Sequence, residues 1–197
     1  MPHQDTRSNM PPAPTQQRRH DDLVGRIVPP LLLGVLVYLI LKMTVFDINV
    51  VPSASMEPTI MTGDRVMSSR LERDDVEAGD IVTFPDPDHP NVTLVKRVVA
   101  TEGEVVDLVG GRLVVNGEER RFDGERGYSS EMASDRGRDV TFPLELGEGE
   151  LFCMGDNREH SADSRVFGAI AEDSVIAVVK MVYWPPERVG PIDGGDD

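Results

Sequence analysis

Thr93-Leu94-Val95-Lys96-Arg97-Val98-Val99-Ala100 is the stretch on which the fold class turns. Its valines and threonine favour extended backbone. Period-2 alternation puts Leu94, Lys96 and Val98 on one face of a strand, and Val95, Arg97 and Val99 on the other. Each face carries a base between apolar neighbours, so one of the two is expected to be at least partly buried. Outward from this strand, short Val- and Ile-rich segments recur at 48–51, 65–69, 80–84, 105–109, 112–116, 151–154 and 175–184, separated by Gly, Asp and Pro clusters. Val109-Gly110-Gly111-Arg112 predicts a tight hairpin, and Asn116-Gly117 a second turn. After residue 47 no stretch has the apolar period of a helix. The body is therefore expected to be mostly β, a sandwich or partly open barrel.

Upstream the pattern changes. Residues 27–41 are apolar throughout, interrupted only by Pro29, Pro30, Gly34 and Tyr38. With Lys42 snorkelling and Met43 to Phe46 adding a turn, 27–46 reaches the roughly 20 residues that a bilayer span requires. A cleaved leader fits poorly, because no small-residue cleavage site follows in Asp47-Ile48-Asn49-Val50-Val51. A single transmembrane helix over 23–46 is expected. Arg18, Arg19 and Arg26 precede it, which sets the N-terminus in the cytoplasm and the body outside. Residues 1–22 are expected to be a disordered cytoplasmic tail, 47–184 the β-rich domain with an insertion at about 123–149, and 185–197 a disordered acidic tail.

The 197 residues carry a net charge of −15, divided as +2 over residues 1–46 and −17 over 47–197. Such an acidic chain, with aromatics at 5%, has neither the basic face nor the stacking platform of a nucleic-acid binder. Cys153 is the one cysteine, which excludes a disulfide within the chain. His3, His20, His89 and His160 show no ligand spacing, so neither a metal nor a cofactor is expected.

Three segments can carry chemistry. Ser55, in Pro52-Ser53-Ala54-Ser55-Met56-Glu57-Pro58-Thr59, is either part of a serine-rich turn or a nucleophile. As a nucleophile it needs a base within hydrogen-bond reach, and its own N–H with the Ser53 hydroxyl is then suited to a developing oxyanion. Lys96 is either a snorkelling surface residue or a desolvated amine, since burial lowers a lysine pKa towards neutrality. Lysines number three against 17 arginines, and only a lysine can shed its proton to act as a base. Gly155-Asp156-Asn157-Arg158-Glu159-His160-Ser161-Ala162-Asp163-Ser164-Arg165 is either an ordinary turn or a loop in which Ser161 orients an amine and Asp163 pairs with Arg165. His160 reads as a solvated loop histidine, and Cys153 as a small core residue.

In this order the segments resemble those of bacterial type I signal peptidases (leader peptidases), a family of Ser/Lys-dyad serine proteases. Ser55-Met56-Glu57-Pro58-Thr59 is similar to the family's S-M-x-P-T box. Gly79-Asp80-Ile81-Val82-Thr83-Phe84 is similar to its G-D-[IV]-V-x-F strand, and Lys96-Arg97-Val98 to its K-R-[VI] box. Gly155-Asp156-Asn157-Arg158, Ser161-Ala162-Asp163-Ser164-Arg165 and Gly168 are similar to its G-D-N-x-x-x-S-x-D-S-R-x-x-G box. Glu159-His160 depart from the Asp-Asn often found there.

The resemblance implies a membrane-anchored serine endopeptidase that removes signal peptides from exported preproteins. Ser55 is then the nucleophile, Lys96 the general base, and Ser53 with Ser55 the oxyanion hole. Ser161, Asp163 and Arg165 orient the lysine and brace its wall, and Met56 lines the substrate cleft. It also implies a monomer in the cytoplasmic membrane beside the export translocon. Phe46 and Met56 are expected to dip into lipid. Two other readings remain open on the residues: an inactive anchored β module that binds exported chains, and a Ser/Lys self-cleaving repressor-type peptidase. The apolar span and the acidic body disfavour the latter.

Overall fold

A computed structural model describes residues 16–130 and 139–192; the side chains of helix residues 16–24 and 41–44 lie outside the description. The chain divides into two units, residues 1–42 and 43–197. Helix α1 (Gln16–Val45) covers the first from residue 16 and continues into the first residues of the second; Pro29 and Pro30 lie inside it. The helix begins at Gln16, so the expected disordered tail over 1–22 is corrected at its C-terminal end; residues 1–15 lie outside the described residues. Among the described residues no helix is long and apolar enough to cross a membrane. The expected span 27–46 includes residues 41–44, whose side chains lie outside the description.

The second unit is built of strands, as the alternation predicted. In chain order these are β1 (Phe46–Val50), β2 (Arg65–Ser69), β3 (Ile81–Pro85), β4 (Thr93–Ala100), β5 (Val105–Val109), β6 (Arg112–Val115), β7 (Glu118–Glu119), β8 (Leu144–Glu145), β9 (Glu150–Met154), β10 (Ile170–Ala171), β11 (Ala177–Trp184) and β12 (Gly190–Pro191). A short α-helix, α2 (Ser164–Phe167), lies between β9 and β10. The larger sheet runs β1-β2-β11-β3-β4-β9-β10, with β12 added to β11; the smaller runs β7-β6-β5-β8. The β5–β6 hairpin turns at Gly110 and Gly111, both at positive φ, as the Gly-Gly pair requires.

β4 lies inside the larger sheet, between β3 and β9. Apolar residues cover both of its faces. Val98 joins Val82, Phe84, Leu151, Cys153 and Phe167 on one side. Val99 joins Val106, Leu113, Phe152 and Met154 on the other. Successive residues of β9 alternate between the same two clusters, which is why 151–154 reads as an unbroken apolar run. A third cluster gathers Val51, Met56, Ile60, Val66, Ile81, Val179 and Val182, with Val95 of β4 packed against it.

Two expectations made on composition change. Part of the 123–149 segment is structural: β8 pairs with β5, and Leu146 is fully buried in the second cluster. Residues 131–138 lie outside the described residues. The tail from 185 is ordered to 192, because Gly190–Pro191 adds to β11 and Arg188 binds the buried Asp64. Residues 193–197 of that expected tail lie outside the described residues. Leu146→Ala is expected to destabilise the protein by about 2–5 kcal/mol. A urea midpoint within error of the wild type would show that the end of this segment is not core.

Candidate functional site

Lys96 projects from the middle of β4, opposite Val82 of β3. On the other side the ladder with β9 runs from Ala100 to Arg97, opposite Met154, and the chain leaves at Gly155. The space past that end is filled by the turn Ala54–Met56, so the strand lysine and the loop serine meet there. Lys96 Nζ donates to Ser55 Oγ at 2.8 Å and to the Val95 carbonyl at 3.1 Å. Lys96 is 3% exposed and Ser55 8%.

Burial lowers the pKa of Lys96, because a charged ammonium is poorly solvated there; the nearby carboxylates Asp163 and Asp156 pull the other way. Ser53 Oγ lies 3.3 Å from Ser55 Oγ. The arrangement therefore places the Ser55 hydroxyl, an amine whose pKa burial lowers and a second hydroxyl within one hydrogen-bonded group.

The loop from Gly155 to Arg165 supports this group from one side. Asn157 donates its backbone N–H to the Ser55 carbonyl at 3.0 Å and its side-chain amide to the Ala54 carbonyl at 2.9 Å. Gly155 is required by close approach: a Cβ there would overlap the Ser55 carbonyl oxygen and the Ser161 side chain. The expected Asp163–Arg165 ion pair is present and wholly buried, with Arg165 Nε to Asp163 Oδ1 at 2.8 Å and Nη2 to Oδ2 at 2.9 Å. Asp163 also caps α2 and accepts the Gly155 N–H at 3.0 Å, fixing where the loop leaves β9.

Two residues with expected roles are placed apart from the contacts those roles would use. The Ser161 hydroxyl is buried but has no hydrogen-bond partner among the described residues, so the bond that would orient Lys96 is absent. Met56 is fully buried in the third cluster, packed against core rather than lining a cleft or facing lipid. Phe46, by contrast, is exposed together with Ile48 and Val50 along β1. His160 is exposed on its turn. Cys153 is fully buried, and burial pushes its thiol pKa far up, which suits a core residue.

Sequence reasoning missed a second layer of polar contacts. Arg97, next to Lys96, is also buried and forms a two-point pair with Asp156, Nε to Oδ1 and Nη2 to Oδ2 both at 2.9 Å. Asp156 also accepts the Thr59 hydroxyl at 2.5 Å, which ties the serine segment to the same carboxylate. Arg158 is buried against Glu125 and Ser129. Residues 124–130 thereby run beside the loop, with Arg126 N–H donating to the Asp156 carbonyl at 2.8 Å. Alternation had put Arg97 on the face opposite Lys96. Nothing in the spacing of Arg97 and Asp156, 59 residues apart, announces that they pair.

The body is built of strands and holds a buried serine–lysine contact, and comparison with known proteins supplies the class. The family described as signal peptidase, peptidase S26, matches residues 24–184, and the chain belongs to that family. This bears out the peptidase family expected from the four boxes. The chain is 34% identical to thylakoidal processing peptidase 1, chloroplastic, of Arabidopsis thaliana over 153 residues, 71% of this chain and 42% of that protein. It is 29% identical to signal peptidase I of Bacillus licheniformis over 177 residues, 84% of this chain and 91% of that protein. A solved signal peptidase I structure from Enterococcus faecalis V583 is similar at 28% identity and a TM-score of 0.44, covering 53% of this chain and 96% of that one. The chain thus spans less than half of the thylakoidal relative and most of the Bacillus one.

Removing one partner of a buried pair leaves the other charge uncompensated. Asp156→Asn keeps the shape and removes the charge, so it is expected to lower stability by about 3–5 kcal/mol. An unchanged thermal midpoint for this variant would mean that the Arg97 pair is not structural.

Proposed function

We propose that this chain is a membrane-anchored serine endopeptidase that cuts signal peptides from exported preproteins, with Ser55 as nucleophile and Lys96 as general base. The observation that carries the proposal is the 2.8 Å contact between Lys96 Nζ and Ser55 Oγ in a buried setting. A lysine amine takes up a proton only when it is neutral, and burial favours the neutral form.

In the proposed reaction Ser55 Oγ bonds to the scissile carbonyl carbon while its proton passes to Lys96 Nζ. The carbonyl electrons move onto oxygen, where the Ser55 N–H and the Ser53 hydroxyl stabilise them. Collapse of this intermediate breaks the C–N bond, and Lys96 returns the proton to the leaving amine. Water then releases the acyl group by the same steps, with the amine as base. The Asp163–Arg165 pair braces the wall behind the lysine. The relatives named as signal peptidase I support preproteins as the substrate class. The sandwich or partly open barrel is the proposed scaffold.

The anchor is proposed over 23–46, with the N-terminus cytoplasmic and the body outside. The large apolar side chains from Ile27 to Ile40 are solvent-facing on all sides of α1, a pattern that calls for lipid rather than a water-soluble surface. Tethering keeps the site at the membrane face where cleavage sites emerge, which raises their effective concentration. We propose that the protein acts as a monomer beside the export translocon.

Ser55→Ala and Lys96→Ala are each expected to abolish cleavage of a preprotein in detergent while circular dichroism stays unchanged; normal cleavage by either variant would refute the dyad. Lys96→Arg is expected to be inactive as well, because a guanidinium stays protonated. The pH profile has a definite sign. Below the lowered pKa of Lys96 the amine is protonated and cannot accept the serine proton, so kcat/KM should fall on the acid side and rise as pH increases through that pKa. A flat profile between about pH 5 and 9 would remove the base from the mechanism.

A further inference from the structure

The serine loop leaves β1 at Val50 and returns at Arg65, and its two ends are laced together: the Val51 N–H donates to the Asp64 carbonyl at 2.9 Å and the Gly63 N–H to the Val51 carbonyl at 2.8 Å. Asp64 closes the loop with its side chain as well, accepting the Met61 N–H at 2.9 Å. That carboxylate is 2% exposed, so it needs a cation. Among the described residues the cation paired with it is Arg188, Nε to Oδ2 at 2.9 Å and to Oδ1 at 3.2 Å. Arg188 comes from the far end of the chain, and its Nη2 reaches further along the same loop, to the Thr59 carbonyl at 3.1 Å and the Pro58 carbonyl at 3.3 Å.

The segment that carries Arg188 is itself held. Gly190–Pro191 pairs with β11, the Ile192 N–H donates to the Lys180 carbonyl at 2.9 Å, and Ile192 packs against the cluster that contains Met56. Between this strap and the loop lies a cavity of about 440 Å³, bordered by Pro58, Thr59, Gly124, Arg188 and Ile192. Side-chain packing therefore leaves the loop incompletely supported on that side, and the guanidinium bridges the gap.

We infer that Arg188 is a positioning residue for the reaction: by neutralising Asp64 and holding the Pro58 and Thr59 carbonyls, the C-terminal strap keeps the Ser55 loop in register with Lys96. This rests on the reading of Ser55 as nucleophile. A small displacement of a reacting group is enough to slow the chemical step without weakening substrate binding.

The test uses the full chain in detergent with a preprotein substrate. Arg188→Gln is expected to lower kcat about ten-fold with KM changed less than about two-fold. The Met61, Gly63 and Asp64 amides should exchange with solvent faster, while those of β4 keep their protection. Arg188→Lys returns a cation to Asp64 without the fork that reaches the two carbonyls, and should recover part of kcat. Arg112→Gln, which breaks the exposed pair with Glu119, is the control and should leave kcat unchanged. If Arg188→Gln does not fold, the double variant Asp64→Asn/Arg188→Gln removes both charges and should fold with kcat still low.

The inference is overturned if Arg188→Gln keeps wild-type kcat, if its loss only tracks the unfolded fraction in a thermal melt, if lysine rescues nothing, or if the double variant has full kcat. An inactive wild type, or cleavage by Ser55→Ala, would instead overturn the peptidase reading itself.

Discussion

The side chain of Arg97 leaves β4 and meets the Asp156 carboxylate in two parallel bonds, with both groups out of contact with water. Asp156 also takes the Thr59 hydroxyl, so one carboxylate joins the central strand, the loop after β9 and the segment that carries Ser55. A pair of this kind adds little to stability compared with apolar residues of the same shape. What it supplies is geometry, since a buried charge tolerates few positions for its partner. The Lys96–Ser55 contact depends on that constraint, because the strand and the serine segment are brought together there rather than by sequence proximity.

Neighbouring bases on the same strand end in opposite electrostatic states. Arg97 keeps its charge and meets it with a carboxylate. Among the described residues Lys96 has no carboxylate in hydrogen-bond contact; its partners are a hydroxyl and a carbonyl. Burial therefore lowers its pKa, with Asp163 and Asp156 near enough to moderate the effect but not to reverse it. Exchanging the two residue types would defeat both purposes, because a guanidinium does not lose its proton and a lone amine does not make the two-point contact.

Much of the body was legible as alternation. The strands at 65–69, 93–100 and 105–109 have the bounds that their period-2 patterns predict, and the turns at Gly110-Gly111 and Asn116-Gly117 follow from backbone conformations that few other residues adopt. The two-residue strands β7, β8, β10 and β12 were not legible, because two residues carry no period and such strands exist only through their neighbours. The same limit hid the order from 185 to 192, where a Pro- and Gly-rich composition suggests a tail but a single arginine finds a buried carboxylate. Of the proposed site, the candidate serine and lysine and the Asp163–Arg165 pair were picked out by residue type and order. The silent Ser161 hydroxyl and the buried Met56 were not, since burial and hydrogen-bond partners depend on what packs from elsewhere.

Residue order alone determined the β character of the body, the apolar segment ahead of it, and the family to which the four boxes point, because periodicity and local chemistry are properties of neighbours along the chain. Tertiary structure decided which of two adjacent bases meets the serine, which carboxylate balances the other, and which distant arginine closes the serine loop. Those contacts join residues 41, 59 and 124 positions apart, and only the stacking of covered sheets brings them within hydrogen-bond reach and away from water.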